Sequence, residues 1–256
     1  MRVVVALKSV PARDSVLRVA ESGVWIEESD LSFETSEPDA YALEEALELK
    51  EKHGCEVVVL CVGSPGASKT IFAALAKGAD RAIHIECDTQ HLLDPLAVAG
   101  IMARALEAES PDLVLTGLQS DDLGSGQTGV ILAELLGFPH VSIAIEIGVI
   151  DRKLLVKREL EGGWFRVVEM PMPALVTVQS GIERLRYPTL MGIKKARNKE
   201  IQRIRAADLE TRFEPGVRIE RVYAPEHNRR GVLLKGDPRQ AAANLVEKLR
   251  TEARVL

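Results

Sequence analysis

Residues 56–85 read EVVVLCVGSPGASKTIFAALAKGADRAIHI, which is the pattern of a strand, a helix and a second strand in direct succession. Glu56 to Val62 and Arg81 to Ile85 are nearly continuous apolar runs, as expected of strands that are buried on both faces. Between them, Ala67 to Lys77 carries apolar residues at helical spacing and ends before a glycine. This alternation predicts a parallel sheet with helices packed on it.

The same alternation continues on both sides of this unit. Further apolar strand patterns lie at 3–7 and 112–117, and further helical patterns lie at 40–53, 93–108 and 127–136. Strands that alternate with helices in this way are typical of a doubly wound, mostly parallel α/β sheet. We therefore predict that fold class for the first half of the chain.

The pattern changes after residue 140, where four alternating or branched runs follow one another at 141–150, 153–160, 165–170 and 174–179. Gly162-Gly163 separates two of these runs and is a hairpin signal. We predict that this section adds antiparallel strands to one side of the sheet. The polar segment 206–256 ends in a helical pattern over 240–254, and we expect it to wrap a neighbouring subunit as an arm. The expected domains are 1–205 and 206–256.

Composition and charge exclude several classes of function. The chain has 256 residues, a net charge of −5 and an isoelectric point near 5.7, which argues against nucleic-acid binding because phosphate contacts require a basic surface. No apolar run approaches the roughly 20 residues that span a bilayer, so we expect no direct membrane insertion. The first residues, MRVVVALK, do not fit a signal peptide. The three cysteines, Cys55, Cys61 and Cys87, lie in or beside apolar runs, as reduced thiols commonly do, which favours a reducing compartment. The expected location is cytoplasmic, or an organelle matrix if the source is a eukaryote with a processed chain.

A glycine-rich stretch, GLQSDDLGSGQTG at 117–129, follows the strand pattern at 112–117 and precedes a helix. Such a turn exposes backbone N–H groups at the positive end of a helix dipole, so it favours a nucleotide or another anion. The alternative is an ordinary loop with helix-capping residues. A second stretch, GSPGASKT at 63–70, resembles a phosphate loop but has Ser68 where that loop requires glycine. Capping by Ser64 or Ser68 is the preferred interpretation there, with Lys69 facing solvent.

A basic segment, RYPTLMGIKKARNKEIQRIR at 186–205, contains the apolar pair Leu190 and Met191. Pro188 interrupts any helix, so we expect Leu190 to be presented at a loop tip as a docking handle. The alternative is a solvated helix face with Leu190 packed under its own loop.

The five histidines are scattered without metal-ligand spacing, and Asp121-Asp122 is more typical of a turn than of acid–base chemistry. The sequence therefore indicates binding sites without catalytic or metal-binding residues.

Six segments together resemble the β-subunit of electron-transfer flavoproteins, which has the adenine-nucleotide α-hydrolase-like fold. They are VVVALKSVP at 3–11, DAYALEEALELKE at 39–51, the 117–129 loop, VKRELEGG at 156–163, PALVTV at 173–178 and RYPTLMGIKKARNKEI at 186–201. The resemblance runs over nearly the whole chain. It implies a heterodimer whose α-subunit holds the redox-active FAD and packs against the arm at 206–256.

The resemblance also implies that this subunit buries one AMP with a structural role. The positions that match its AMP contacts are Ala6, Ser36, Asp39, Val62, Gly117, Gln119, Asp122, Gly124, Ser125, Gly126, Gln127 and Thr128. Arg13 lies near the position that the family places beside the flavin ring. A cation there is expected to favour the reduced, anionic flavin and raise its potential.

The family's recognition loop inserts a leucine into a pocket of a partner dehydrogenase, and Leu190 matches that leucine. The implied partner-binding residues, within a loop at about 184–205, are Tyr187, Leu190, Met191, Lys194 and Lys195. The implied partners are an acyl-CoA-type dehydrogenase of fatty acid oxidation and a quinone-linked oxidoreductase. Two alternatives remain: a bifurcating subunit with a second FAD in place of AMP and NADH as donor, and a stand-alone adenine-nucleotide-binding regulator of the universal-stress type.

Overall fold

The computed structural model describes residues 1–89, 93–209, 215–225 and 231–256. These residues form two compact units, Met1–Val222 and Tyr223–Leu256. The strands are β1 (Arg2–Leu7), β2 (Ser9–Pro11), β3 (Phe33–Thr35), β4 (Glu56–Gly63), β5 (Arg81–Glu86), β6 (Leu113–Gly117), β7 (His140–Ile150), β8 (Lys153–Glu159), β9 (Phe165–Pro171), β10 (Ala174–Val178) and β11 (Ile201–Arg205). The helices are α1 (Glu37–His53), α2 (Ser68–Lys77), α3 (Pro95–Leu106), α4 (Thr128–Leu136), α5 (Leu190–Ala196) and α6 (Pro238–Thr251).

A nine-stranded sheet with the order β11-β5-β4-β1-β6-β10-β7-β8-β9 forms the centre of the first unit. The strands from β11 to β7 are parallel to their neighbours, whereas β8 pairs antiparallel with both β7 and β9. A separate antiparallel pair joins β2 to β3. The predicted fold class, a mostly parallel doubly wound sheet with an added antiparallel hairpin, is confirmed.

One strand differs from the prediction. We expected 174–179 to be antiparallel with its neighbours, but β10 lies in the sheet interior and runs parallel to both β6 and β7. All five residues of β10 are buried, because a strand at this position is covered on both faces. An unbroken apolar run of this kind is typical of a parallel strand, and grouping it with the preceding hairpin was wrong.

Two apolar clusters, one on each face of the sheet, explain why the parallel strands are apolar at every position. Val3, Val5 and Leu7 of β1 belong to the cluster that includes α1 and α2. Val4 and Ala6 belong to the cluster that includes α3 and α4. Because successive side chains of a strand point to opposite faces, a sheet covered on both faces buries both sets.

The remaining predictions concern membrane insertion, the C-terminal helix and the histidines. Within the described residues, no helix is both long and apolar enough to cross a membrane. The predicted C-terminal helix is present as α6, which begins after Asp237, whose carboxylate accepts a hydrogen bond from the Gln240 N–H at 2.9 Å. His91 and His227 lie outside the described residues.

Candidate functional site

A cleft of about 850 Å³, counting the space that opens to solvent, lies at the carboxyl ends of β1, β4 and β6. It contains the boundary between β1 and β6, where the connections leave the sheet in opposite directions, and ligands bind at such switch points in open α/β sheets. Nine of the predicted nucleotide residues line it: Ala6, Asp39, Val62, Gly117, Gln119, Ser125, Gly126, Gln127 and Thr128. The cleft is therefore where the glycine-rich loop predicted it.

Asp39 fixes the base of this cleft. Its side chain is buried in the first turn of α1 and accepts hydrogen bonds from the Lys8 N–H at 2.7 Å and the Gly117 N–H at 2.9 Å. Burial raises the pKa of Asp39 to about 7, although both hydrogen bonds act in the opposite direction. One carboxylate thus joins the end of β1, the start of α1 and the end of β6.

Glycines are required where the loop passes close to these groups. A Cβ at Gly117 would lie 2.5 Å from Oδ1 of Asp39, and a Cβ at Gly129 would lie 2.5 Å from Oγ1 of Thr116. Gly124 and Gly126 adopt φ values of +61° and +64°, which L-residues rarely adopt. The loop can therefore turn sharply and keep its backbone close to any ligand in the cleft.

Four predicted nucleotide or flavin residues do not line the cleft. Ser36 lies behind the loop, where its hydroxyl accepts a hydrogen bond from the Asp121 N–H at 3.2 Å. Gly124 lies at the turn of the loop, and Asp122 points its carboxylate toward Lys8. Arg13 lies between β2 and β3 and forms an ion pair with Glu37 at the start of α1. Ser36, Asp122 and Gly124 thus lie in or against the loop, whereas Arg13 lies apart from it.

Lys8 lines the cleft, and the sequence interpretation missed it. Its ammonium lies 2.7 Å from Oδ1 of Asp122 and 3.4 Å from Oγ of Ser120. Burial disfavours the charge on Asp122, but the Lys8 ammonium together with hydrogen bonds from Ser120 and the Leu123 N–H outweighs this effect and lowers the Asp122 pKa. Among the described residues that line the cleft, Lys8 is the one cationic side chain. The signal in the sequence was a lysine directly after β1, the strand whose carboxyl end lies at the cleft beside the glycine-rich loop.

The stretch at 63–70 is not a phosphate loop. Pro65–Ala67 is a 3-10 turn that leads directly into α2, and neither Ser64 nor Ser68 accepts a capping hydrogen bond. The Ser68 hydroxyl instead donates to the Pro65 carbonyl at 2.7 Å, so the predicted capping role is wrong. Lys69 is exposed, as predicted. In the described part of the chain, no group of three or more His, Cys, Asp or Glu side chains could hold a metal ion.

A second candidate site, the docking surface, consists of Tyr187, Leu190 and Met191 with the exposed Lys194 and Lys195. The three apolar side chains are 91%, 88% and 61% exposed, so the alternative in which Leu190 packs under its own loop is wrong. Leu190 does not lie at a loop tip, because it is the first residue of α5. Thr189 caps this helix and accepts a hydrogen bond from the Gly192 N–H at 3.0 Å.

The docking surface is held at three points. Before it, the Arg186 guanidinium contacts carboxylates of α1, with Glu44 and Glu51 each at 2.5 Å. In its middle, Gly192 packs so closely that a Cβ would lie 2.3 Å from the Ala76 carbonyl oxygen of α2. After it, the Lys199 ammonium donates to the Leu75 carbonyl at 2.9 Å. Leu190 and Met191 therefore project from a fixed short helix, and Tyr187 lies just before it.

The fold and cleft define this chain as a doubly wound α/β protein with a candidate ligand site at its topological switch point. Comparison with known proteins gives the family: residues 23–209 match the model of the electron transfer flavoprotein domain. The chain is 33% identical to the electron transfer flavoprotein subunit beta of Methylophilus methylotrophus, over 96% of this chain and 97% of that one. The subunit beta of Bradyrhizobium diazoefficiens is 35% identical, and the match covers 100% of both chains. The subunit beta of Sus scrofa is 36% identical over 84% of this chain and 83% of that one. The chain belongs to the electron transfer flavoprotein family, among its β-subunits.

Proposed function

We propose that this chain is the β-subunit of a heterodimeric electron carrier, that its cleft binds AMP, and that an α-subunit holds most of the FAD. The observation that carries the AMP assignment is the cleft at the switch point of the sheet. There the backbone of the glycine-rich loop lies close to the ammonium of Lys8. In this proposal the nucleotide has a structural role, as the resemblance to the family implies.

The chemistry of the cleft fits a nucleoside monophosphate. Leu93, Val98 and Met102 give it an apolar wall that suits an adenine ring. Lys8 and the loop at 117–129 lie on the polar side, where a phosphate would find an ammonium and backbone donors. FAD, when bound by the assembled protein, would supply one- and two-electron redox chemistry. Arg13 remains the residue that we predict to lie beside the flavin.

The docking surface supports the second part of the proposal. An exposed leucine on a fixed helix, surrounded by lysines, suits a partner that offers an apolar pocket with an acidic rim. We propose acyl-CoA-type dehydrogenases of fatty acid oxidation as these donors and a quinone-linked oxidoreductase as the acceptor. An interface centred on so few side chains is small, and small interfaces give the weak, rapidly exchanging complexes that electron transfer uses.

The nucleotide content of the purified complex tests the first part. The chain is co-produced with its α-subunit, the complex is denatured, and released FAD and AMP are counted per heterodimer. One FAD and one AMP would support the proposal. Two FAD and no AMP would favour the bifurcating alternative with NADH as donor, and a nucleotide-hydrolysing homodimer that forms no complex would favour the stand-alone regulator.

Substitution of the exposed leucine tests the second part. We expect Leu190→Ala to slow reduction of the heterodimer by an acyl-CoA-type dehydrogenase at least about fivefold, because a buried apolar anchor contributes more than about 1 kcal/mol to such an interface. Ile150→Ala removes a comparable exposed side chain from β7 and serves as the matched control. Equal rates for the two variants would exclude Leu190 as the anchor.

A further inference from the structure

Lys8 is the cationic side chain among the described residues that line the cleft, and its ammonium lies beside Asp122 and Ser120. Its backbone is fixed, because the Lys8 N–H donates to Asp39 at 2.7 Å. Its side chain is half-buried and lies along the cleft wall, with the ammonium held by Asp122. A cation positioned in this way at a glycine-rich loop is either a structural link to that loop or a ligand-binding group.

The hydrogen-bonding capacity of the ammonium leaves room for a ligand. A lysine ammonium has three N–H donors. Asp122 accepts one of them at 2.7 Å, and Ser120 lies at 3.4 Å, which is long for a bond between a charged donor and a hydroxyl. At least one donor therefore remains for an acceptor in the cleft. The ion pair with Asp122 therefore holds the ammonium at the cleft wall and still leaves it able to bind a ligand.

We propose that Lys8 is the side chain that binds the nucleotide phosphate, and that Asp122 positions its ammonium for this contact. The proposal rests on the function proposed above, and it assigns phosphate recognition to a charged side chain in addition to the backbone of the loop. A phosphate attracts an ammonium more strongly than a neutral acceptor does, and a partly buried site screens that attraction less than water does. Lys8 would thus discriminate a nucleoside monophosphate from a nucleoside.

The ratio of two affinities provides the test. The full chain is co-purified with its α-subunit, bound nucleotide is removed in denaturant, and the refolded complex is titrated with labelled AMP and labelled adenosine. We expect Lys8→Met to weaken AMP binding about 10- to 100-fold, as for loss of a hydrogen bond to a charged group. Adenosine, which lacks the phosphate, should bind the variant and the wild type equally.

Two further variants control for folding and for general charge effects. Lys8→Arg retains a cationic donor on a long side chain, so AMP affinity should stay within about threefold of the wild type. Lys69→Met removes an exposed lysine outside the lining of the cleft and should change neither affinity. An equal loss of AMP and adenosine affinity in Lys8→Met would show a structural role for Lys8 and overturn the proposal, as would unchanged AMP binding.

The proposed function and the role of Lys8 can fail separately. If the wild-type complex binds FAD in the cleft instead of AMP, the AMP assignment fails, and the same variants are titrated with FAD. A 10- to 100-fold loss of FAD affinity in Lys8→Met, with unchanged adenosine binding, would retain Lys8 as a phosphate ligand. If FAD affinity is also unchanged, the role of Lys8 fails as well.

Discussion

Arg186→Met tests whether the ion-pair cluster on α1 holds the docking surface in place. The Arg186 guanidinium contacts Glu44, Glu48 and Glu51 at 2.5, 3.3 and 2.5 Å, and the Arg186 N–H donates to Glu44 at 2.9 Å. Methionine retains most of the aliphatic length of the side chain but removes the charge and every guanidinium donor. Glu44 would then keep a single hydrogen bond, from the backbone.

The expected loss follows from the burial of the partners. The Glu44 side chain is 3% exposed, and removal of one partner from a buried ion pair costs about 3–5 kcal/mol because the other charge is left uncompensated. The Arg186 side chain is 27% exposed, so solvent compensates part of that cost. The pairs with Glu48 and Glu51 are more accessible and add up to about 1 kcal/mol each. We expect the free energy of unfolding to fall by about 2–4 kcal/mol.

Urea unfolding of the full chain, followed by circular dichroism, measures this change. Arg205→Met is the matched control, because it breaks a pair with Asp208 in which the two side chains are 74% and 51% exposed. We expect this variant to unfold at nearly the same urea concentration as the wild type, because solvent screens an exposed ion pair. Glu44→Gln added to Arg186→Met should recover more than half of the loss, since it removes the uncompensated charge. If Arg186→Met costs no more than Arg205→Met, the cluster does not stabilise the docking surface and the reasoning is refuted.

Three further predictions concern the same helices. Gly192→Ala should lower the free energy of unfolding by about 1–2 kcal/mol in urea, because its Cβ would lie 2.3 Å from the Ala76 oxygen and overpacking outweighs the better helix propensity of alanine. Thr189→Ala should remove about 1 kcal/mol by loss of the cap of α5, with faster amide exchange confined to that helix. Burial, followed by the charge of Glu183, raises the pKa of Glu45 to about 7. The folded state therefore binds this proton more tightly than the unfolded state, and the free energy of unfolding falls as pH rises from about 4.5 to about 7. Glu45→Gln should raise the free energy of unfolding at pH 8 by at most about 3 kcal/mol and should reduce its dependence on pH.

The features that follow from local pattern were predictable from the sequence. The apolar run at 56–62 can be buried only between two layers, so it predicted β4 and the parallel sheet. The glycines at 117–129 follow a strand, so they placed the cleft at the carboxyl edge. Local pattern does not settle the residues around Leu190. Pro188 interrupts a helix and favours a loop tip, whereas the Thr189 cap becomes evident only in the structure, where α5 begins at Leu190.

The features that depend on contacts distant in sequence were not predictable. Lys8 meets Asp122 across 114 positions, and no spacing rule connects a lysine after β1 with an aspartate after β6. Arg186 meets Glu51 across 135 positions in the same way. The apolar run of β10 is typical of a parallel strand, but its position between β6 and β7 does not follow from local pattern. In each case the sheet topology, rather than the local sequence, brings the partners together.

Helix α1 connects the two candidate sites. Its first turn contains Asp39, which joins the strand ends at the cleft, and the carboxylates that hold Arg186 begin at Glu44, little more than one turn further on. At a rise of about 1.5 Å per residue, the two positions lie about 8 Å apart along the helix axis. A nucleotide that binds the cleft only in the folded state stabilises that state by RT ln(1 + L/Kd), where L is the free nucleotide concentration. Since α1 also supports the docking surface, an AMP with no redox role would still stabilise the helix on which partner docking depends.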